Sequence, residues 1–364
     1  MDTVLSKTFS LLRFPLIVMV VFIHIYGSTI MVNGNIVGEC NATIYHLIGR
    51  VFSQNLFALA VPTFYFIAGY LFFLNQTLNK DRYFLQMKKR FKSLVIPYLF
   101  WNLWMIVFML FYQYVGNKVG FIFAGKQIVD YSIIDFLRCF WNIGSGFYPI
   151  CFQLYFLRDL ILVSILSPMF YWLIKKGKFV FIILLAVLYV SNVNWHFFPG
   201  ISPVFYFCLG ASYRLLNWKW IDGFKSLISK ASCLFIGLFP LNFFFNNYNY
   251  SLFVIIFGVI FLLNVAYYLV NRNPEGGKIE NILLALSPMS FFVYCFHEPI
   301  QGLIKKVFYM LLQPSSDAML VLLYFLCPLL TILLAIIIFK TMSRYCPKIL
   351  RVINGRYIFS LAIE

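Results

Sequence analysis

Residues 9–31 read FSLLRFPLIVMVVFIHIYGSTIM, an apolar run that is interrupted by Arg13 and carries His24 near its far end. A helix needs roughly 20 mainly apolar residues to cross about 30 Å of hydrocarbon. The run is therefore long enough for a transmembrane helix. Because Arg13 interrupts it and no small-residue cleavage site closes it, we expect a retained first helix rather than a signal peptide.

The rest of the chain has the same character. Of the 364 residues, 62% are hydrophobic and 11% are charged, which is enough apolar sequence for roughly ten crossings. The longest stretch without a membrane-grade run is 116–148, too short for a soluble domain of about 100 to 150 residues. The composition excludes a soluble enzyme, so any chemistry takes place inside the helices or at their ends.

We predict an all-α, polytopic membrane helix bundle with about ten transmembrane helices in a single domain, residues 1–364. The fifth and sixth spans are short and meet at a turn, so we expect an antiparallel hairpin. Helical spacing of apolar residues near 128–142 predicts an amphipathic segment in the membrane interface. The ten predicted spans are 9–31, 51–74, 94–115, 149–174, 179–195, 201–216, 231–245, 251–270, 282–304 and 318–339.

The basic residues predict the orientation. If the N-terminus is cytoplasmic, 21 of the 29 lysines and arginines fall in inner loops and ends, and 6 fall outside. Cytoplasmic loops carry such an excess, so both termini are expected in the cytoplasm. The same rule accounts for the net charge of +17 without a nucleic-acid partner.

The eight cysteines show no metal-ligand spacing, and no metal site is expected. Cys40 and Cys139 fall in loops on the same predicted side, where a disulfide between them is compatible with the topology. Nothing else in the sequence supports that bridge.

Ionisable groups inside apolar runs are the candidate functional residues, because a charge at membrane depth is expensive unless it faces a cavity or a partner. Arg13 and His24 are 11 residues apart, close to three helical turns, and so share one face about 16 Å apart. Arg13 could equally be a snorkelling end residue, and His24 a packing residue. Imidazole exchanges protons near pH 7, so a proton-transfer role for His24 is the functional alternative.

Two further clusters lie in later helices. Arg158 and Asp159 follow Tyr155 in the fourth span; adjacent helical positions point about 100° apart, so we expect each to serve a different neighbour, most simply in an interhelical ion pair. His297 and Glu298 precede a proline that opens the helix locally, which is compatible with either a polar pocket or an ordinary helix end.

One inner loop is unusually basic. Lys88, Lys89, Arg90 and Lys92 lie within five residues, next to a helix start. The excess of cations on the cytoplasmic side explains most of this charge, but its density would also suit a polyphosphate.

Five segments, in order along residues 10 to about 340, resemble the acyltransferase family 3 membrane proteins. The first contains Arg13 and His24, in the pattern of the family's first helix. The other four are PTFYFIAGY at 62–70, KKRFKSLVIPY at 88–98, LYFLRDL at 154–160 and SFFVYCFH at 290–297.

The resemblance implies a bacterial inner-membrane enzyme that moves an acyl group, usually acetyl from acetyl-CoA and in some members succinyl, onto a hydroxyl of a cell-surface glycan. Ser93 replaces the second arginine of the basic motif, with Lys92 beside it. Many relatives carry an appended soluble esterase-like domain. None is expected here, so the complete transfer belongs to this chain or involves a separate periplasmic or glycan-assembly partner.

Acyl transfer needs a base, a group that stabilises the oxyanion and a donor site. We assign the base to His24, anion stabilisation or donor contact to Arg13, with Arg158 as a second candidate, and the CoA phosphates to the basic loop. The acyl-CoA is a substrate, and no permanently bound cofactor is expected. An acyl-histidine relay and a glycan exporter that performs no transfer remain alternatives. Acceptor binding or structural support is assigned to Tyr155, Arg158, Asp159, His297 and Glu298.

Overall fold

The structure, a computed structural model, is almost entirely helical, apart from a hairpin of two three-residue strands, β1 (Ile30–Val32) and β2 (Asn35–Val37). It describes residues 3–27, 30–32, 35–37, 42–118, 125–142, 148–191, 199–245, 248–272 and 276–355. Cys40, and with it the suggested disulfide, lies outside these residues.

Sixteen α-helices occur in the described part of the chain. The first eight are α1 (Thr3–Ile23), α2 (Thr43–Gly49), α3 (Ala60–Phe72), α4 (Lys80–Arg90), α5 (Ile96–Lys118), α6 (Ile133–Phe140), α7 (Tyr155–Ile165) and α8 (Ser167–Val190). The others are α9 (Ile201–Leu215), α10 (Leu227–Ala231), α11 (Leu234–Phe245), α12 (Tyr248–Arg272), α13 (Lys278–Leu286), α14 (Ser290–Leu312), α15 (Asp317–Tyr345) and α16 (Pro347–Ile353).

Short segments of 3₁₀ or π helix join several of these helices into longer continuous helical stretches. Six continuous stretches in the described ranges are long and apolar enough to cross a membrane, so the protein is a multi-pass membrane protein. The six are Thr3–Ile23, Thr43–Phe72, Lys80–Lys118, Ser251–Arg272, Lys278–Leu312 and Asp317–Tyr345. They match six of the ten predicted spans, while the other four, and the total of ten, stay predictions.

The chain between 149 and 195 is divided differently from the prediction. The predicted span 149–174 is interrupted at Leu166, after which Pro168 opens α8 at its first turn, a position where proline's missing N–H costs nothing. α8 then continues through Lys178, whose φ of 44° marks a kink, into most of the next predicted span. α8 and α9 pack antiparallel, with Tyr189 stacked on Phe205, as the predicted hairpin requires.

Two glycines allow α3 and α9 to cross in close contact. A Cβ added at Gly69 would lie 2.0 Å from the carbonyl oxygen of Phe207, and one at Gly210 would lie 1.9 Å from that of Phe66. Real Cβ atoms essentially never come closer than 3.0 Å to another atom. The absence of side chains at these two positions therefore sets the distance between the helices.

One face of α5 carries polar side chains that satisfy the backbone of the segment around α6. Gln113 Oε1 accepts from the Ile128 N–H at 3.0 Å, and Asn102 Oδ1 accepts from the Cys151 N–H at 3.2 Å. Backbone polar groups in a membrane protein must find such partners, because the hydrocarbon supplies none. These contacts hold the start of α7 against the bundle.

α6 itself begins with a capping box. The Ser132 side chain accepts from the Asp135 N–H, and the Asp135 carboxylate accepts from the Ser132 N–H. Hydrogen bonds from Lys126 and Ser132 hold the pKa of the Asp135 carboxyl well below its usual range. Ile133 and Leu137 are 80% and 66% exposed, so the helix presents an apolar face outward.

Candidate functional site

A largely apolar cavity with two arginines lies between α1, α3, α4, α7 and α14. Its empty volume is about 800 Å³, open mouth included, and its lining includes Arg13, Arg90, Ser290, Tyr294 and Phe156. Arg13 is 6% exposed, and Arg90 is partly buried with its guanidinium 5.5 Å from the centre of the Phe72 ring. Two guanidinium groups in an apolar enclosure suit an anionic ligand with an apolar portion.

The structure separates the four basic residues that the sequence grouped together. Arg90 lines the cavity, whereas Lys88 and Lys92 are exposed and Lys89 is partly exposed. Successive helical residues point about 100° apart, so four neighbouring cations cannot share one face. Of these four side chains, Arg90 is therefore the one positioned to contact a ligand in the cavity, and the lysines lie around it.

The cavity follows one face of α1 toward His24. Arg13, Ile17 and Val20 line it, and His24 is four residues further, in the turn that follows the helix. The spacing of 4, 3 and 4 residues is that of a single helical face. The predicted alignment of Arg13 with His24 therefore agrees with the lining of the cavity.

His24 and His297 form a stacked pair. Their ring centres are 5.5 Å apart with an interplanar angle of 24°, and Phe152 meets His24 edge-on at 5.0 Å. His24 is partly buried, whereas His297 is fully buried. The pair thus consists of a partly buried imidazole stacked on a fully buried one.

The hydrogen bond of His297 defines its tautomer. Its Nδ1 lies 2.6 Å from the carbonyl oxygen of Tyr294, and since a carbonyl can only accept, Nδ1 carries the proton. Nε2 then holds a lone pair, and it has no hydrogen-bond partner among the described residues. Tyr294 also donates from its hydroxyl to the carbonyl oxygen of Gln153, which ties α14 to the start of α7.

α1 ends earlier than predicted, at Ile23 instead of residue 31. The last carbonyls of a helix have no partner within it, and here side chains from other elements supply donors. The hydroxyl of Ser53 donates to the Phe22 oxygen at 2.7 Å. Gln301 Nε2 donates to the Val21 oxygen at 3.0 Å.

Lys305 supplies a third donor, to a carbonyl two residues beyond the end of α1, and the predicted span did not include this lysine. The predicted span 282–304 ended before it, whereas α14 continues to Leu312 and Lys305 is 3% exposed. Its Nζ donates to the Ile25 oxygen at 3.2 Å. The spacing of His297, Gln301 and Lys305, four residues each, was the signal that could have identified these residues, because it places them on one face.

Arg158 and Asp159 pair with each other, contrary to the expectation that each serves a different neighbour. Arg158 donates to Asp159 Oδ1 through Nη2 at 3.1 Å and through Nε at 3.2 Å, and both residues are about 95% buried. The arginine side chain is flexible enough to bridge the 100° between adjacent positions. Pairing is favoured because either charge, if buried without a partner, would cost more free energy than the buried pair does. Arg158 also lies 5.9 Å from the Trp141 ring centre.

Two other predicted residues lie at the edges of this region. Tyr155 is partly buried and meets Tyr148 edge-on at 5.7 Å. Glu298 is partly buried and close enough to Lys305 for electrostatic interaction. Among the described residues no group of three or more His, Cys, Asp and Glu side chains is arranged to hold a metal ion.

The chain is similar to known proteins over nearly its whole length. Residues 7–340 match the family described as the acyltransferase domain, acyltransferase family 3. The succinoglycan biosynthesis protein ExoH of Rhizobium meliloti (strain 1021) is 24% identical over 369 residues, which cover 98% of this chain and 93% of the relative. No solved structure matches the chain. Since the family match spans nearly the whole sequence, the protein belongs to acyltransferase family 3 and is a membrane-embedded O-acyltransferase.

Proposed function

We propose that the enzyme transfers an acyl group, most simply acetyl, from acyl-CoA to a hydroxyl of a cell-surface polysaccharide, with His24 as the base. The observation that carries this proposal is the single face of α1 that joins the two-arginine cavity to the partly buried imidazole of His24. A donor held at one end and an acceptor at the other would meet along that face.

The donor end is the cavity. Arg13 and Arg90 bind the phosphates of CoA through charge-assisted hydrogen bonds, which guanidinium groups form in a fixed, bidentate geometry. The apolar walls accommodate the chain that carries the thioester. Lys88, Lys89 and Lys92 raise the local concentration of the anionic donor at the mouth, which agrees with their exposure.

The chemical step takes place near His24. Its imidazole accepts the proton of the acceptor hydroxyl while the oxygen attacks the thioester carbonyl and the C–S bond breaks. The CoA thiolate then takes the proton from the imidazolium, which restores neutral His24. His297 supports His24 by stacking and is itself oriented by its bond to Tyr294.

The acceptor is inferred from the relative's name, which places that protein in succinoglycan biosynthesis. We assign support of the sugar to Tyr155, His297 and Glu298, and the stacking of His297 on His24 favours this role. The buried pair of Arg158 and Asp159 supports the wall of the site rather than the acceptor itself, since each is occupied by the other.

The proposal also includes a bacterial inner-membrane location, ten membrane spans and both termini on the cytoplasmic side. The distribution of basic residues favours this orientation. It places the arginine cavity toward cytoplasmic acyl-CoA and His24 toward the acceptor outside. The whole chain then acts as one acyltransferase domain, with the segment near 128–142 at the outer interface.

Transfer of label tests the proposal. Purified protein in liposomes is given acyl-CoA labelled in the acyl group on one side and de-acylated polysaccharide on the other. We expect the polysaccharide to become labelled only when the protein is present. Movement of the polysaccharide across the membrane without label would instead identify a glycan exporter and overturn the assignment.

A further inference from the structure

The end of α1 is held from both sides of His24 by two side chains of α14. Gln301 Nε2 donates to the Val21 oxygen at 3.0 Å, and Lys305 Nζ donates to the Ile25 oxygen at 3.2 Å. The two carbonyls are three residues before and one residue after His24. The backbone on both sides of the imidazole is therefore attached to one neighbouring helix.

Both donors are almost completely buried, with exposures of 2% for Gln301 and 3% for Lys305. A buried ammonium group is costly within a membrane protein, and a neutral donor would satisfy a carbonyl equally well. A cation has an additional effect here, because the carbonyl end of a helix carries partial negative charge. Its hydrogen bond is to Ile25, two residues after the end of α1, so the charge of Lys305 lies near that partially negative end.

The same helix also carries the stacking partner of His24. Gln301 and Lys305 follow His297 by four and eight residues, and so lie on its face of α14. One rigid element thus sets three relations: the ring stack, the backbone before His24 and the backbone after it. Any shift of α14 along α1 would change all three together.

We propose that Gln301 and Lys305 are positioning residues that hold the His24 imidazole in its reactive orientation. The proposal rests on the function assigned to His24 above. It predicts an effect on the chemical step and little effect on donor binding, because neither Gln301 nor Lys305 lines the arginine cavity.

Replacement of Lys305 gives the first test. Lys305→Met keeps most of the length of the side chain and removes its charge and donor. We expect kcat to fall on the order of 100-fold, the loss that follows a misplacement of about 1 Å, while the KM for acyl-CoA changes less than about threefold. Lys305→Arg, which can still reach the carbonyl, restores most of kcat. Gln301→Met gives a smaller loss of the same kind and carries the test if Lys305→Met does not fold.

Lys306→Met is the matched control. Lys306 is the next residue, but its Nζ contacts the Tyr112 hydroxyl at 2.7 Å rather than α1. We expect its kcat to stay within about twofold of the wild-type value. Equal losses in the Lys305 and Lys306 variants, or a rise in KM with kcat unchanged, would overturn the proposal.

A double-mutant cycle separates a positioning role from a merely structural one. If Lys305 acts through His24, Lys305→Met causes no further loss in a His24→Ala background. Independent, multiplicative losses would refute the positioning role while leaving His24 as the base. Full activity of His24→Ala alone would instead refute the proposed function, so the two failures are distinguishable.

Discussion

The crossing of α3 and α9 gives a quantitative prediction that links the fold to donor binding. In the variant Gly210→Ala the new Cβ would lie 1.9 Å from the Phe66 carbonyl oxygen. The contact is with backbone, so no side-chain rotation relieves it. To reach the 3.0 Å limit the helices must separate by about 1.1 Å, and overpacking of this kind costs about 1 to 3 kcal/mol.

The displacement also reaches the cavity. Phe64, Ala68 and Leu71 of α3 line it. A shift of α3 away from α9 therefore moves these side chains into the space proposed for the donor. We expect the KM for acyl-CoA to rise several-fold and kcat to change less. Steady-state kinetics on the reconstituted enzyme and thermal unfolding in detergent measure the two effects.

Gly237→Ala provides the control for the substitution itself. Gly237 lies in α11, where an added Cβ meets no atom within 4 Å. Alanine is favoured over glycine in a helix by up to about 1 kcal/mol, so this variant should be as stable as the wild type or slightly more so. If Gly210→Ala matches Gly237→Ala in both unfolding temperature and KM, the crossing of α3 and α9 does not depend on the missing side chain.

Three other predictions follow from individual contacts. Arg90→Gln should raise the KM for acyl-CoA by roughly 10-fold or more, since a hydrogen bond to a charged group is worth about 1.5 to 3 kcal/mol. The control Lys88→Gln, at an exposed position, should change this KM less than about threefold. Equal effects of the two substitutions would contradict the assignment of Arg90 to donor binding. Asp159→Asn leaves the charge of Arg158 buried without its carboxylate and should destabilise the protein by about 3 to 5 kcal/mol, so unchanged thermal unfolding would count against the pair. Asp317→Ala removes the carboxylate that accepts from two backbone N–H groups at the start of α2 at 2.8 and 2.7 Å. We expect α2 to lose about 0.5 to 2 kcal/mol of stability, which should appear as faster hydrogen exchange of its amides. Unaltered exchange would show that this cap is dispensable.

Much of the site could be predicted because it depends on helical periodicity. The 11-residue spacing of Arg13 and His24 fixes their common face, and the structure places a cavity along that face. The apolar runs likewise predicted the six described stretches that are long and apolar enough to cross a membrane. Local spacing and hydrophobicity are properties of the sequence itself, so they need no knowledge of which helices are neighbours.

The features that were mispredicted depend on contacts between distant parts of the chain. α1 ends at Ile23 because donors some 30 and 280 residues away satisfy its last carbonyls. Lys305 was placed in a loop because a lysine raises the polarity of any window, although in the folded protein it has a buried acceptor. The pairing of Arg158 with Asp159 depends on the rotamer and burial of both side chains, which helical angles alone do not determine.

The proposed function assigns donor binding and chemistry to two separate ends of the site. Arg13 lines the cavity, while His24 lies 11 residues further along the chain, close to three helical turns. Binding and chemistry can then be altered independently. Substitutions at the cavity should change KM, and those around His24 should change kcat.

The most direct test of the central claim is a single-turnover measurement of His24→Ala. Wild type and variant are reconstituted in nanodiscs and saturated with labelled acyl-CoA, polysaccharide is added, and transfer of label is followed over time. We predict that the variant binds acyl-CoA with nearly wild-type affinity but transfers label at least 100-fold more slowly, the scale of positioned acid–base catalysis. Transfer at the wild-type rate by the folded variant would contradict the account.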